Sequence, residues 1–425
     1  YVRIFKLPHS LHFHAAAHMR CRQCHKRTGL SGTNINNIWT AFVVTCSQLL
    51  SNDGVMGLVL PADLLQVKYA EQIRMYLENS FERLEIMPLG TEMFPNIEQQ
   101  TIALFAYKKS LTPGTYFYKV EDYETCRVSQ TSSNGLMISQ SKWTHYNLAT
   151  VEIALLNSVA KKFGRVDDFI KSKPGIVTGA NDFFIISEKE VKKYNASVYA
   201  RPIISCGRSL EQGAAFTEMD FKRFSAAGNP SYLLDLRQKR PNKALDEYLQ
   251  KGEEQGLPKR YKCSRRTPWY VIPCIDDVAD TLFFKRTHRI PKFIKNKAQV
   301  FVTDTAYMVA PKTGFSIDDF IWSFYNPLTL IYAELTGRSY GGGVLELTPN
   351  EFRQLPIPYF SPGSTVYSNF ARNLSFNDPA LSFLTDPLRV QQLGVTVVEY
   401  KTLCDIYKSL INQRIETRKR DVKMA

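Results

Sequence analysis

Gly54-Val55-Met56-Gly57-Leu58-Val59-Leu60-Pro61 is the stretch on which the fold turns. An apolar run of this length, opened by the turn Ser51-Asn52-Asp53-Gly54 and stopped by Pro61, reads as a buried strand. Upstream, Ile38, Ala41, Phe42, Thr45, Leu49 and Leu50 recur at helical spacing. Downstream, Leu64 to Leu77 reads as a helix, Leu84 to Pro88 as a short strand and Thr101 to Tyr107 as another. This alternation predicts an α/β fold, the second half of a doubly wound, Rossmann-like domain.

Beyond Ser110 the texture changes. Short β-like stretches such as Thr115 to Val120 and Phe183 to Ile186 are separated by polar turns, so a new domain begins between 110 and 160. Val151 to Phe163 is predicted as a helix crossing into it, Arg237 to Arg266 as a long loop or short helical insertion, and Phe320 to Leu335 as an apolar helix. Tyr400 to Met424 is predicted as a final amphipathic helix with a basic end. The expected organisation is 1–110, a transition over 111–160, and an α+β domain over 161–425 that ends in the C-terminal helix.

Hydrophobic residues make up 44% of the 425 and aromatics 12%, the composition of a folded chain. No segment approaches the roughly 20 unbroken apolar residues of a membrane span, so a soluble protein without a membrane partner is expected. The eight cysteines are scattered rather than dense, which suits a reducing cytoplasm. The chain starts at Tyr1 rather than Met and shows no signal segment, so further sequence upstream is expected. Net charge is +14, and Arg237 to Lys297 holds 16 Lys/Arg against 7 Asp/Glu. Tyr261, Trp269, Tyr270, Phe283, Phe284 and Phe293 are interleaved with that charge. The segment is either a solvated basic face or a surface that holds phosphates and stacks bases.

The order of motifs narrows the function. Asn36-Asn37-Ile38-Trp39-Thr40-Ala41-Phe42 precedes the strand at 54–61; Arg74 and Leu77 follow on the next helix, then Leu89-Gly90-Thr91-Glu92-Met93-Phe94-Pro95 and a further strand. This succession resembles the later motifs of the gamma class of N6-adenine DNA methyltransferases, which includes restriction-associated enzymes of the Eco57I and TaqI type. Tyr1-Val2-Arg3 resembles the tail of that family's Asn-Pro-Pro-Tyr motif. Lys173-Pro174-Gly175-Ile176-Val177-Thr178-Gly179-Ala180-Asn181 resembles the opening of its target-recognition domain, and Gly337-Arg338-Ser339-Tyr340-Gly341-Gly342-Gly343 extends the match.

The resemblance implies methyl transfer from S-adenosylmethionine to N6 of an adenine flipped out of double-stranded DNA, in restriction-modification or phage defence. Tyr1 matches the aromatic that stacks on the flipped base, and Phe94 a second one that sandwiches it; these are the expected catalytic residues. Phe42 matches a residue lining the cofactor's adenine pocket, with burial in the core as the alternative. The chemistry needs no metal and no nucleophile, because the task is to align N6 with the donor. The family's Gly-rich cofactor loop, acidic ribose ligand and Asn-Pro-Pro are absent from these residues, so the chain as given is expected to be inactive alone. A missing N-terminal half and a fused or associated restriction nuclease are the further candidate partners. The competing reading is a non-catalytic DNA-binding specificity module; a nicotinamide oxidoreductase lacks any residue set for hydride transfer.

Lys259, Arg260, Arg265, Arg266 and Arg338 are the expected phosphate contacts. Gly341-Gly342-Gly343 lacks the Lys-Ser/Thr of a P-loop and reads as a loop whose backbone approaches DNA. His14-x3-His18 and Cys21-x2-Cys24, amid His9, His12 and His25, have zinc-like spacing, but the pairs nearly touch in sequence and no metal site is expected.

Overall fold

In a computed structural model, the apolar run at 54–61 becomes strand β1 (Val55–Pro61). The structure describes residues 22–23, 25–26, 28–30, 37–89, 93, 101–122, 125, 127–133, 142–145, 148–207, 210, 213–237, 241–275, 277–340 and 343–423. Helix α1 (Trp39–Gln48) precedes β1; α2 (Asp63–Gln66) and α3 (Glu71–Ser80) follow it, and then come β2 (Arg83–Leu89), β3 (Thr101–Tyr107), β4 (Gly114–Asp122) and β5 (Arg127–Ser133).

These strands form one sheet in the order β1-β3-β2-β4-β5. β3 lies antiparallel between β1 and β2, with Leu104 facing Leu58 on one side and Ile86 on the other. β2 and β4 pair in parallel, and β4 and β5 antiparallel, so the sheet is mixed. The two-residue period sends Met56, Leu58, Leu60, Leu84, Ile86, Ile102, Leu104 and Ala106 into one buried cluster with Val43, Val44, Ile73 and Leu77 of the helices. Each large aliphatic side chain so buried stabilises by about 1.5–3 kcal/mol.

Two expectations change here. The helix read over 64–77 is broken, because Val67 is extended. The break lets Arg74, 2% exposed, reach back to the carbonyls of Leu64 (2.7 Å) and Val67 (3.3 Å), which a continuous helix would have used internally. The strand expected at 115–120 extends this first sheet.

The chain forms two compact units: Tyr1–Lys162 with Ile331–Val344 and Val395–Ala425, and Phe163–Leu330 with Leu345–Gly394. The final helix, Val397–Lys423, expected at the end of the 161–425 domain, belongs to the first unit. Its Leu403, Tyr407 and Ile411 are buried at one-turn spacing, an apolar stripe that needs a core to cover it.

The second unit holds two larger sheets and a small antiparallel pairing of Pro356–Ile357 with Gly164–Arg165. Of the larger sheets, one runs Ala215–Phe216, Lys292–Asn296, Thr281–Phe284, Ala306–Pro311, Ile170–Pro174; the other Phe301–Val302, Ala200–Ile204, Tyr232–Leu234, Ile185–Ile186. In the first, Phe283 faces Phe293 in register, and Phe352 stacks on Phe283 with ring centroids 4.2 Å apart. The buried Tyr325 hydroxyl accepts from the Phe293 N–H (3.0 Å) and donates to the Pro291 carbonyl (2.9 Å). The helix expected over 320–335 is two, Ile317–Phe324 and Pro327–Thr336, because Pro327 disfavours helical backbone at Asn326. No helix among the described residues is long and apolar enough to cross a membrane.

Candidate nucleic-acid interface

The basic excess of 237–297 divides into side chains used internally and side chains offered outward. Arg237 is paired with Asp235 (2.9 Å) and donates to the Ile275 carbonyl (2.7 Å). Lys292 is buried, its ammonium on the carbonyls of Gly207 (2.9 Å) and Leu210 (2.7 Å). Lys295 pairs with Asp318, and Arg286 with Glu346 at 3.3 Å. Lys259, Arg260, Lys262 and Arg265 are exposed, and no described carboxylate pairs with them. They lie on and between two 3₁₀ turns, Leu257–Lys259 and Cys263–Arg265.

Expected as a long loop or short insertion, 237–266 contains a 12-residue helix, Lys243–Glu254, whose Asn242 side chain caps it by accepting from the Leu245 N–H at 2.9 Å. Its Leu245 and Leu249 are buried, and the following turns are pinned by Leu257 (1% exposed) and Cys263 (0%) in the same cluster. The apolar anchors fix the turns, and the cations between them point to solvent. Tyr261 is 68% exposed, with Lys262 Nζ 5.6 Å and the Arg265 guanidinium carbon 5.5 Å from its ring centroid. An exposed aromatic flanked by unpaired cations offers phosphate contacts and a stacking face together. Of the other interleaved aromatics, Phe283, Phe284 and Phe293 are buried, while Tyr270 and Trp269 are half-buried, Trp269 packing on Phe183 and Phe184 and donating to Glu253 at 3.1 Å.

Arg266, grouped by the sequence with the phosphate contacts, is a clamp. Its guanidinium donates to the carbonyls of Thr178 (2.7 Å) and Val177 (2.8 Å), and burial pulls its pKa down. A fork that spans two carbonyls has little left for a phosphate. The clamp seats the Val177–Gly179 loop on the basic turn. Gly179 has φ +85°, and a Cβ there would stand 2.8 Å from Lys262 Cβ, so the approach requires glycine. Val177, 38% exposed, is presented beside the cations.

Arg338 is half-buried in the strand Arg338–Tyr340 of the first unit, whereas residues 259–266 belong to the second. Phe42 on α1 is 40% exposed, and core packing does not account for its ring. Tyr1 and Phe94 lie outside the described residues, as do His9, His12, His14, His18, Cys21, Cys24, Gly341 and Gly342. His25 is buried, and among the described residues no group of His, Cys, Asp and Glu is arranged to hold a metal ion. Lys262 falls within the basic run 259–297 that the sequence offers for phosphate contact, though it is not one of the five residues singled out there.

Residues 140–377 match the family described as Type II methyltransferase M.Eco57I, C-terminal domain, and the chain belongs to it: it is a C-terminal region of the Eco57I-like restriction-modification methyltransferase type. Over 340 residues it is 22% identical to Type II methyltransferase M.AccI of Acinetobacter calcoaceticus, covering 75% of this chain and 61% of that protein. Over 169 residues it is 24% identical to Type II restriction enzyme and methyltransferase RM.Eco57I of Escherichia coli, covering 37% of this chain and 16% of that one. The chain thus spans less than two thirds of these relatives. The fold resembles that of the Type IIL restriction-modification enzyme MmeI, solved in complex with DNA, with a TM-score of 0.53 and 10% identity over 96% of this chain and 55% of that one.

Proposed function

We propose that this chain forms the target-base side and the target-recognition part of a site-specific DNA methyltransferase that transfers a methyl group from S-adenosylmethionine to adenine N6 within a restriction-modification system. Family membership together with the exposed cation-and-tyrosine turn at 259–265 carries the reading. The division of labour follows from the residues. Lys259, Arg260, Lys262 and Arg265 hold backbone phosphates, and the clamped Val177–Gly179 loop lies beside them to meet base edges, since phosphate contacts position and base contacts specify. Of the described residues Phe42 fits the cofactor, its exposed flat ring suiting an adenine. Bound S-adenosylmethionine would supply an electrophilic methyl group. On the family resemblance, Tyr1 and Phe94 hold the flipped base between their rings, fixing N6 for attack. The organisation we propose is a catalytic half before about residue 110 and recognition mainly in 163–394, in a cytoplasmic enzyme with double-stranded DNA as its partner and a fused or associated nuclease.

The test is direct. The complete gene product, incubated with methyl-labelled S-adenosylmethionine and duplexes pooled to cover short target sequences, should yield N6-methyladenine on mass spectrometry of the digested nucleosides. Methylcytosine would overturn the adenine assignment. Sequence-specific duplex binding with no label in any pool would replace the enzyme by a non-catalytic specificity module.

A further inference from the structure

The strand Arg338–Tyr340 is held from several directions by side chains of its own unit. Gln66, at the end of α2 just beyond β1, reads Ser339 with both ends of its amide: Nε2 donates to the Ser339 carbonyl (3.2 Å), and the Ser339 N–H donates to Oε1 (3.0 Å). Upstream, Lys142 Nζ donates to the Thr336 carbonyl and the Thr144 hydroxyl to the Leu335 carbonyl at 2.5 Å. Downstream, Arg414 makes a bidentate pair with Glu334 (2.7 and 2.8 Å), 4% and 5% exposed, and donates to the Gly343 carbonyl at 2.6 Å. Gly343 has φ +70°, and a Cβ there would stand 2.8 Å from the Arg414 carbonyl oxygen. Connecting segments ordinarily run loosely over a surface; this one is fixed along its length.

What it presents is chemically specific. Successive residues of a strand point to opposite faces, so Arg338 and Tyr340 share one face and Ser339 takes the other. Tyr340 is 47% exposed, and with Phe42 it makes up the exposed large aromatics of this unit among the described residues. A flat ring two residues from a guanidinium, on a preorganised backbone, suits an unstacked base and its adjoining phosphate. Gln66 ties the strand to the segment leaving the carboxyl end of β1, and in open α/β sheets ligands bind outside the carboxyl ends of the strands.

We infer that Tyr340 is a base-stacking residue that stabilises duplex DNA opened at the target position, that Arg338 engages the phosphate beside it, and that Gln66 and Arg414 are positioning residues for the pair. The inference rests on the methyltransferase reading and is tested apart from it. In the complete gene product, Tyr340→Ala should slow methylation of a fully paired duplex by roughly ten- to a hundred-fold, the range that loss of one base–aromatic stack implies. On a duplex with an abasic site opposite the target adenine, where no pair must be broken, the loss should shrink to within about threefold. Tyr340→Phe should behave as wild type, and Gln66→Glu, which sets a carboxylate against the Ser339 carbonyl, should reproduce the alanine pattern. Equal losses on both duplexes, or no loss on the paired one, overturn the assignment. If the alanine variant melts early, Tyr340→Leu keeps bulk without a flat face and is read by the same comparison. Should the wild type methylate no duplex, the activity reading falls, and 2-aminopurine at the target position still decides this one: a fluorescence rise that is the same in wild type and variant overturns it.

Discussion

Replacing Lys259, Arg260, Lys262 and Arg265 together by alanine gives the most quantitative check on the interface. All four are exposed, and no described carboxylate pairs with them, so each is available to displace one counterion from DNA. The logarithm of affinity falls with the logarithm of salt by about 0.9 per phosphate neutralised. Four contacts therefore supply about 3.6 of the slope, and a fourfold rise in salt, from about 50 to 200 mM, should cost the wild type roughly 150-fold through these residues alone. The variant should lose that part of the salt dependence on specific and non-specific duplexes alike, with an unchanged melting temperature, because the turn is anchored by Leu257 and Cys263 rather than by its charges. Fluorescence anisotropy with a labelled duplex across a salt series measures the slope. A slope that moves by less than about one would show that the cluster faces solvent and that the phosphates are held elsewhere.

Arg266→Ala should lower stability by about 1.5–3 kcal/mol through loss of charge-assisted bonds to Thr178 and Val177, with Arg266→Lys a poor rescue because one ammonium cannot match the fork; denaturant titration measures both. His145, 4% exposed and edge-on to Phe117 at 5.1 Å, has its pKa held by burial below the usual 6.5, to about 4. Its neutral form is the one the fold accepts, so stability is full above pH 6.5 and falls as pH drops towards about 4, by at most roughly 3 kcal/mol; His145→Phe should flatten that window in chemical denaturation, and an unchanged pH profile would count against the burial argument. Breaking the buried pair with Arg414→Met should cost about 3–5 kcal/mol, with Glu334→Met in the same chain recovering much of it, as thermal melts of the single and double variants would show. Phe42→Ala should weaken S-adenosylmethionine binding by about tenfold in calorimetry on the complete gene product with little change in melting temperature, since a ring 40% exposed contributes little to the core.

The parts of the fold legible in the sequence are those where a local pattern, an apolar run or a two-residue period, is bounded by clear turn signals. β1 is an uninterrupted apolar run closed by a turn and a proline, and β3 is close to a two-residue alternation from Ile102 onward; both lie where the sequence places them, within a residue. The strand order was not legible: nothing local in Thr101–Tyr107 says that it will slot between β1 and β2. The break at Val67 was hidden for a related reason, since the gain comes from Arg74 reaching carbonyls seven and ten residues earlier. At the interface, composition found the right segment but could not sort it. Arg265 and Arg266 are adjacent and identical in type, yet one is exposed beside Tyr261 and the other is spent on two carbonyls. That difference is set by where Thr178 lies, nearly ninety residues away in sequence.

The path of the chain bears on how such proteins can be recombined. A designer wishing to change target preference would take 163–394 as the exchangeable cassette, because the chain first leaves the first unit at Lys162 and finally returns at Val395. That cassette would carry a foreign Ile331–Val344 along with it, and Gln66, Lys142, Thr144 and Arg414 of the host would then meet a backbone they were not shaped to hold. Chimeras joined instead at four points, with 331–344 kept from the host, preserve those seats while replacing the surface around Tyr261.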